Sequence, residues 1–140
     1  MSHFSIAGMQ LSLPCGDNLA TIGDEITKTK QRFPWIDMIV LSELCNFGPQ
    51  KKYASPLPSK TEAFYCQLAK ELNLWIIPGS DYEKSGDDIF NTTYTVSADT
   101  ADTADTADTA DTADTNAFDA GTADTPDNVY VHQTRTSEAR

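Results

Sequence analysis

The stretch that decides the fold is Asp37-Met38-Ile39-Val40-Leu41-Ser42-Glu43-Leu44-Cys45-Asn46-Phe47-Gly48. Its four consecutive apolar residues, Met38 to Leu41, are bounded by polar residues and a glycine, which is typical of a strand buried on both faces. Glu43 then lies at the carboxyl end of this strand. Loops of open α/β sheets converge on a crevice at that edge, so Glu43 is a candidate catalytic residue. The alternative is an ordinary solvated turn residue.

The flanking segments predict strands and helices in alternation. The predicted order is a strand in residues 4–11, a helix from Leu19 to Phe33 that Pro34 ends, the strand before Glu43, a helix that ends near Asn73, a strand from Leu74 to Ser80, a charged turn from Asp81 to Asp88 and a strand from Phe90 to Val96. This order predicts an α/β sheet with right-handed crossovers at its start and a hairpin after them.

Two helix starts carry capping signals. Asp17 or Asn18 can accept hydrogen bonds from the first free N–H groups of the first helix. Ser59 and Glu62, three residues apart before an apolar run, form a capping box for the second helix. These signals support helices of ordinary length between the predicted strands.

Charge is distributed unevenly along the 140 residues, whose net charge is -11. Residues 1–97 hold eleven acidic and eight basic side chains, whereas residues 98–140 hold ten acidic and two basic ones. No basic cluster exists beyond Lys51-Lys52, so no nucleic-acid partner is expected. The first residues lack a signal-peptide pattern and no apolar run approaches about 18 residues, so we expect no membrane partner and a cytoplasmic location.

Cysteine usage argues against a disulfide framework and a zinc site. Cys15, Cys45 and Cys66 make an odd number and show no C-x-x-C spacing. Buried free thiols are the expected state. No metal and no cofactor are expected from the sequence.

Several short segments occur in order along the chain. They are Met9-Gln10, Asp37 to Leu44, Leu68-Ala69-Lys70-Glu71, Pro78-Gly79-Ser80 and Ile89-Phe90-Asn91-Thr92. Together they resemble the N-terminal part of the nitrilase superfamily of carbon-nitrogen hydrolases. The resemblance runs from about Phe4 to Val96. It implies an α-β-β-α sandwich, a Glu-Lys-Cys catalytic set, and nitriles, amides or carbamoyl compounds as small-molecule substrates.

By this resemblance Glu43 is the general base, with Ser42 where the family usually has proline. Such a reaction needs a base for the thiol proton, a cation for the developing negative charge and an acid for the leaving nitrogen. The lysine and cysteine motifs of the family do not occur, so we expect this chain to be inactive as it stands. A substitute set of Glu43, Cys45 and Lys51 or Lys52 is a weaker alternative.

After Ser97 the sequence becomes Ala-Asp-Thr, repeated six times from Ala98 to Thr115, with a further copy at residues 123–125. A period of three gives a helix no apolar stripe, and Asp and Thr are poor helix formers. We therefore expect a truncated hydrolase domain over 1–97 and a disordered acidic tail over 98–140. One alternative, a row of aspartates that binds cations, places its carboxylate oxygens too far apart to share one ion. The other, a sugar-bearing repeat, has no export signal to support it.

Three functional hypotheses remain open. The first is a partial α-β-β-α sandwich of the nitrilase type without turnover of its own. The second is a non-catalytic interaction protein that docks on an intact family member or another partner, or forms a homo-oligomer. The third is an enzyme whose sequence is incompletely recorded. Half a sandwich leaves apolar strand faces uncovered, so marginal stability or dependence on a partner is expected.

Overall fold

The computed structural model describes residues 3–98, apart from the side chain of Ala98, and the backbone of residues 129–137. Its elements are β1 (Ile6–Met9), α1 (Leu19–Arg32), β2 (Met38–Leu41), a 3₁₀ turn (Lys51–Tyr53), α2 (Lys60–Leu72), β3 (Trp75–Ile77), β4 (Asp81–Ser85), β5 (Asp88–Ala98) and β6 (Val129–Ser137). The predicted α/β fold is confirmed, since the described strands join in one mixed sheet beside the two helices. Neither helix of these ranges is long and apolar enough to cross a bilayer.

The sheet begins parallel and ends antiparallel. β1 pairs with β2 and β2 with β3 in parallel, whereas β3, β4 and β6 all run antiparallel to β5. The β5 residues that pair with β6 overlap those that pair with β3 and with β4. Since one strand edge holds one neighbour at each position, β3 and β4 lie along the same edge of β5 and β6 lies along the other.

β3 and β4 therefore act as one bent strand, interrupted by residues 78–80. Ile76 pairs with Val96 before the bend, and Asp81 pairs with Thr92 after it. The bent side has one more residue between these pairs than β5 has, which is the arrangement of a β-bulge. Gly79 within the bend has a φ of +79°, and a Cβ on it would lie 2.0 Å from the carbonyl oxygen of Ser42. Only glycine fits this close approach.

The core lies between the two helices and one face of the sheet. Its most deeply buried members are Ile22, Ile26, Ile39, Tyr65, Ala69, Ile76 and Val96. The helices come close together where Gly23 faces the ring of Phe64, because a Cβ on Gly23 would lie 2.7 Å from that ring. Glycine lowers the stability of an isolated helix, but Gly23 permits α1 to pack closely on α2.

The helix caps agree with the sequence in part. Ser59 Oγ accepts a hydrogen bond from the Glu62 N–H at 3.1 Å, as the capping box predicts. Asn18 occupies the N-cap position of α1, but its side chain does not cap the helix. Instead, its Nδ2 donates to the carbonyls of Pro14 and Cys45, and Asp17 Oδ1 accepts from the Leu19 N–H. Asn18 thus ties the start of α1 to the turn after β2.

The other face of the sheet is less covered, which differs from the prediction for β2. Ile39 and Leu41 are buried on the helix side, but Met38 and Val40 are only half-buried. Met38 stands in register between Ile6 and Trp75, which are 61% and 39% exposed. In the described residues this face has no second sheet over it, so they form one helix layer and one sheet layer of a sandwich.

Two predictions for the second half of the chain need correction. The predicted turn from Asp81 to Asp88 is mostly strand, because β4 pairs with β5 up to Ser85 and only residues 86 and 87 turn. In the tail predicted to be disordered, residues 129–137 form β6 along β5, where the free backbone groups of β5 offer a full ladder of pairs. Residues 99–128 and 138–140, with the Ala-Asp-Thr repeat, lie outside the described residues.

Candidate active site

Glu43 lies in the turn that follows β2, at the carboxyl edge shared by β2 and β3. Its side chain is exposed and borders a cavity of about 310 Å³. The residues that line this cavity are Leu41, Glu43, Ile77, Gly79, Ser80, Asn91 and Thr93. The walls combine aliphatic side chains with one carboxylate, one amide and two hydroxyls, a composition suited to a small ligand with one polar end.

One hydrogen bond fixes the carboxylate of Glu43. Asn91 Nδ2 on β5 donates to Glu43 Oε1 at 2.6 Å. Thr93, two residues along the same face of β5, donates from its hydroxyl to the carbonyl of Gly79 at 2.5 Å. Asn91 is not among the site residues predicted from the sequence. The available signal was the polar half of the alternation in β5, which puts Asn91 and Thr93 on the face away from the helices.

The turn that carries Glu43 is attached to its surroundings at several points. The Leu44 N–H donates to Ser80 Oγ at 3.3 Å, and the Gly48 N–H donates to the Leu44 carbonyl at 2.9 Å. Leu44 itself has a φ of +52°, a left-handed conformation uncommon for a residue with a Cβ. Such backbone persists where surrounding contacts enforce it, so this turn is a built feature of the fold.

Asn46 is the most deeply held residue of this turn and is fully buried. Its Oδ1 accepts from the Tyr65 hydroxyl at 2.5 Å, and its Nδ2 donates to Asp81 Oδ1 at 3.0 Å and to the Pro78 carbonyl at 3.2 Å. Burial raises the pKa of the Asp81 carboxyl to about 6, an effect that the hydrogen bond from Asn46 opposes. The second oxygen of Asp81 is buried and accepts no hydrogen bond from the described residues.

The strand does not continue to Cys45, because β2 ends at Leu41 and the chain turns through Leu44. The Cys45 thiol instead donates weakly to the Pro78 carbonyl, with Sγ and oxygen 3.6 Å apart. Burial, followed by the negative charge of Asp81, raises the pKa of this thiol to about 11. It is therefore a neutral thiol near pH 7 and lacks the activation that a nucleophilic cysteine needs.

The remaining candidate residues are not brought into the Glu43 cavity. Cys66 is buried in α2, and burial raises the pKa of its thiol to about 12. Cys15 is exposed and, with Cys45 and Glu43, borders a second cavity of about 210 Å³. Lys51 and Lys52 are in the 3₁₀ turn, and neither lines the Glu43 cavity. Within the described ranges, no group of three or more His, Cys, Asp or Glu side chains is arranged to hold a metal ion.

Solved structures share this arrangement of strands and helices. The nitrilase-superfamily protein Nit3 of Saccharomyces cerevisiae is 21% identical with a TM-score of 0.57, over 66% of this chain and 39% of that one. A carbon-nitrogen hydrolase of Helicobacter pylori is 18% identical with a TM-score of 0.55, over 67% of this chain and 35% of that one. Over the matched part, this chain has the fold of these structures.

An amidase of Nesterenkonia is also similar, with 19% identity, a TM-score of 0.56, and coverage of 67% of this chain and 38% of that one. The chain thus spans well under half the length of these structures. No protein-family model and no curated protein matches the sequence. At these identities the likeness establishes the fold, and the role of Glu43 remains a prediction.

Proposed function

We propose that this chain carries the glutamate-bearing part of a carbon-nitrogen hydrolase, with Glu43 as its general base. The observation that carries the proposal is the Asn91–Glu43 contact of 2.6 Å at a cavity on the carboxyl edge of the sheet. A base must be held within reach of the proton it takes, and this contact holds one carboxylate oxygen while the other remains available. The nitrilase-superfamily fold supports the reaction class.

In this reaction the Glu43 carboxylate takes the proton of a thiol, and the thiolate sulfur forms a bond to an amide or nitrile carbon. A cation stabilises the negative charge that develops on the oxygen or nitrogen bound to that carbon. When an amide C–N bond breaks, the leaving nitrogen receives the proton from the Glu43 carboxylic acid, and water then releases the acyl group from sulfur. Glu43 therefore takes the thiol proton in the first step and gives it to the leaving nitrogen in the second.

The thiol and the cation of this scheme have no candidates around the Glu43 cavity in the described residues. Cys15 borders only the second cavity, burial raises the pKa of the Cys45 and Cys66 thiols, and Lys51 and Lys52 do not line the Glu43 cavity. We therefore propose that residues 1–97 supply the base and the substrate-facing wall, and that they do not turn over an amide without these two groups.

A chimera tests this function. Residues 4–96 replace the matching segment of the Nesterenkonia amidase, and ammonia release from simple amides is measured for the chimera and for its Glu43→Gln variant. We expect activity that Glu43→Gln reduces by about a thousandfold or more, as for loss of a general base and its proton-transfer steps. A folded chimera without activity, or an active one indifferent to Glu43→Gln, would count against the proposal.

The half-covered sheet face favours a second candidate, an interaction module that pairs with a second copy of this chain. Ile6, Met38 and Trp75 form a cross-strand row on that face, and Val40 and Ile77 follow on the next row. No strand from β1 to β3 places an ionisable side chain there, so two acidic chains can meet on it without opposing like charges. Sheets pack face to face through such rows.

Sedimentation velocity distinguishes this candidate from a lone chain. We expect a dimer that Trp75→Thr weakens by about tenfold or more in Kd, since a buried aromatic anchors an interface. Trp35→Thr is the matched control, because Trp35 is 66% exposed in the loop before β2. A monomer at every concentration, or equal weakening by both variants, rejects the dimer.

A further inference from the structure

The turn after β2 is held from the protein interior by a residue that lies outside the Glu43 cavity. Asn46 is fully buried and does not line the Glu43 cavity. Its side chain contacts helix α2 through Tyr65, the strand bend through the Pro78 carbonyl, and β4 through Asp81. A single amide thus joins the turn to three separate elements.

These contacts lie close to the contact that holds the Glu43 carboxylate. Asn46 is bonded to Asp81, which pairs with Thr92, and Glu43 is bonded to Asn91, the residue before Thr92. Both ends of the turn are therefore fastened to adjacent positions of the β4–β5 hairpin. If the Asn46 attachment is lost, the turn keeps its bonds to Ser80 and Asn18 but loses this fastening to the hairpin, so the distance from the turn to Asn91 is less tightly set.

We propose that Asn46 is a positioning residue, which holds the turn so that the Glu43 carboxylate meets the Asn91 amide. Its catalytic meaning rests on the proposed function, but the positioning itself is a property of this chain alone. Buried hydrogen bonds position functional groups by fixing side-chain rotamers, and the three hydrogen bonds of Asn46 restrict its own rotamer in this way.

The side-chain NH₂ resonance of Asn91 reports this positioning directly. It is recorded for the full ¹⁵N-labelled chain, and the Glu43→Ala variant gives its value when the contact is absent. We expect Asn46→Ala to move the resonance at least half way to that value. Tyr65→Phe, which removes only the hydroxyl bonded to Asn46, moves it a smaller but measurable fraction in the same direction.

Tyr94→Phe is the matched control. The Tyr94 hydroxyl is also buried in the core but has no hydrogen-bond partner among the described residues. Its removal should therefore leave the Asn91 resonance in place. A loss of stability alone does not shift a resonance of the folded state, which separates positioning from support of the fold. If Asn46→Ala does not fold, Tyr65→Phe decides the outcome.

Two results would overturn the proposal. One is an Asn91 resonance in Tyr65→Phe that coincides with wild type, and the other is an equal shift in Tyr65→Phe and Tyr94→Phe. Either result leaves the role of Glu43 open, because the chimera measures that role independently. Conversely, a chimera indifferent to Glu43→Gln together with the expected shifts would mean that Asn46 positions a carboxylate that is not the base.

Discussion

Removing the Tyr65 hydroxyl should destabilise the chain, whereas removing the Tyr94 hydroxyl should not. Both tyrosine side chains are buried in the core between the helices and the sheet, and they are 0% and 3% exposed. The Tyr65 hydroxyl donates to Asn46 at 2.5 Å, whereas the Tyr94 hydroxyl has no hydrogen-bond partner in the described part of the chain. Burial raises the pKa of both hydroxyls, so both stay protonated near neutral pH.

The size of the difference follows from what each substitution leaves behind. Tyr65→Phe removes a donor and leaves the buried Oδ1 of Asn46 with only the weak Cys45 thiol at 3.8 Å. An unsatisfied buried acceptor costs about 1–3 kcal/mol, so the free energy of unfolding should fall by that amount. Tyr94→Phe removes a hydroxyl that was desolvated without compensation, and we expect a change between zero and a gain of about 1 kcal/mol.

Urea unfolding of the full chain at pH 7, followed by tryptophan fluorescence, measures both variants. For an unfolding slope of about 1 kcal/mol per molar, the midpoint of Tyr65→Phe should fall by about 1 M or more at unchanged slope. The double variant should show additive changes unless the two hydroxyls interact. Equal losses in both variants, or no loss in Tyr65→Phe, would refute the assignment of the hydrogen bond.

Three further outcomes are expected. Gly79→Ala should lower the free energy of unfolding by about 3 kcal/mol or more, because the new Cβ would lie 2.0 Å from the carbonyl oxygen of Ser42. Gly86→Ala is the control, since a Cβ on Gly86 meets open space, and it should cost about 1 kcal/mol in thermal melts of the two variants. Because the pKa of Asp81 is raised in the folded state, the folded chain binds this proton more tightly than the unfolded chain does. The contribution of Asp81 to the free energy of unfolding should therefore increase by about 1–3 kcal/mol as the pH falls from 7 to 4. Urea titrations of Asp81→Asn should lack this gain. Iodoacetamide should alkylate the exposed Cys15 much faster than the half-buried, neutral Cys45 at pH 7.5, and mass spectrometry of the peptides would contradict this if the rates were similar.

The parts of the fold that the sequence predicts are those with local signals. The apolar run before Glu43, the stripe of α1 and the Ser59 cap each lie within a few residues, so periodicity and capping chemistry reveal them. β4 was missed because its inward residues are polar: Glu83 is buried and accepts from the Thr92 hydroxyl, so the strand lacks apolar alternation. β6 was missed because its partner strand is distant in sequence.

The candidate site divides in the same way. The position of Glu43 at a strand end is a local property and was predicted from the sequence. Its contact with Asn91 spans 48 residues and depends on the register of β5, which no local pattern fixes. Asn46 is a polar residue within a turn, so no local pattern indicates that it is fully buried. Whether Glu43 acts as a base stays a prediction until the chimera is assayed.

The β-bulge in the bend between β3 and β4 decides on which side of the sheet Asp81 stands. Side chains alternate along a strand, so an odd step of five residues from Ile76 to Asp81 would ordinarily reverse the side. The bulge restores it, and both residues pair with helix-side residues of β5. A regular strand of the same length would turn the Asp81 carboxylate to the opposite side, out of reach of Asn46. The interior network therefore exists because the strand breaks its alternation at this one place.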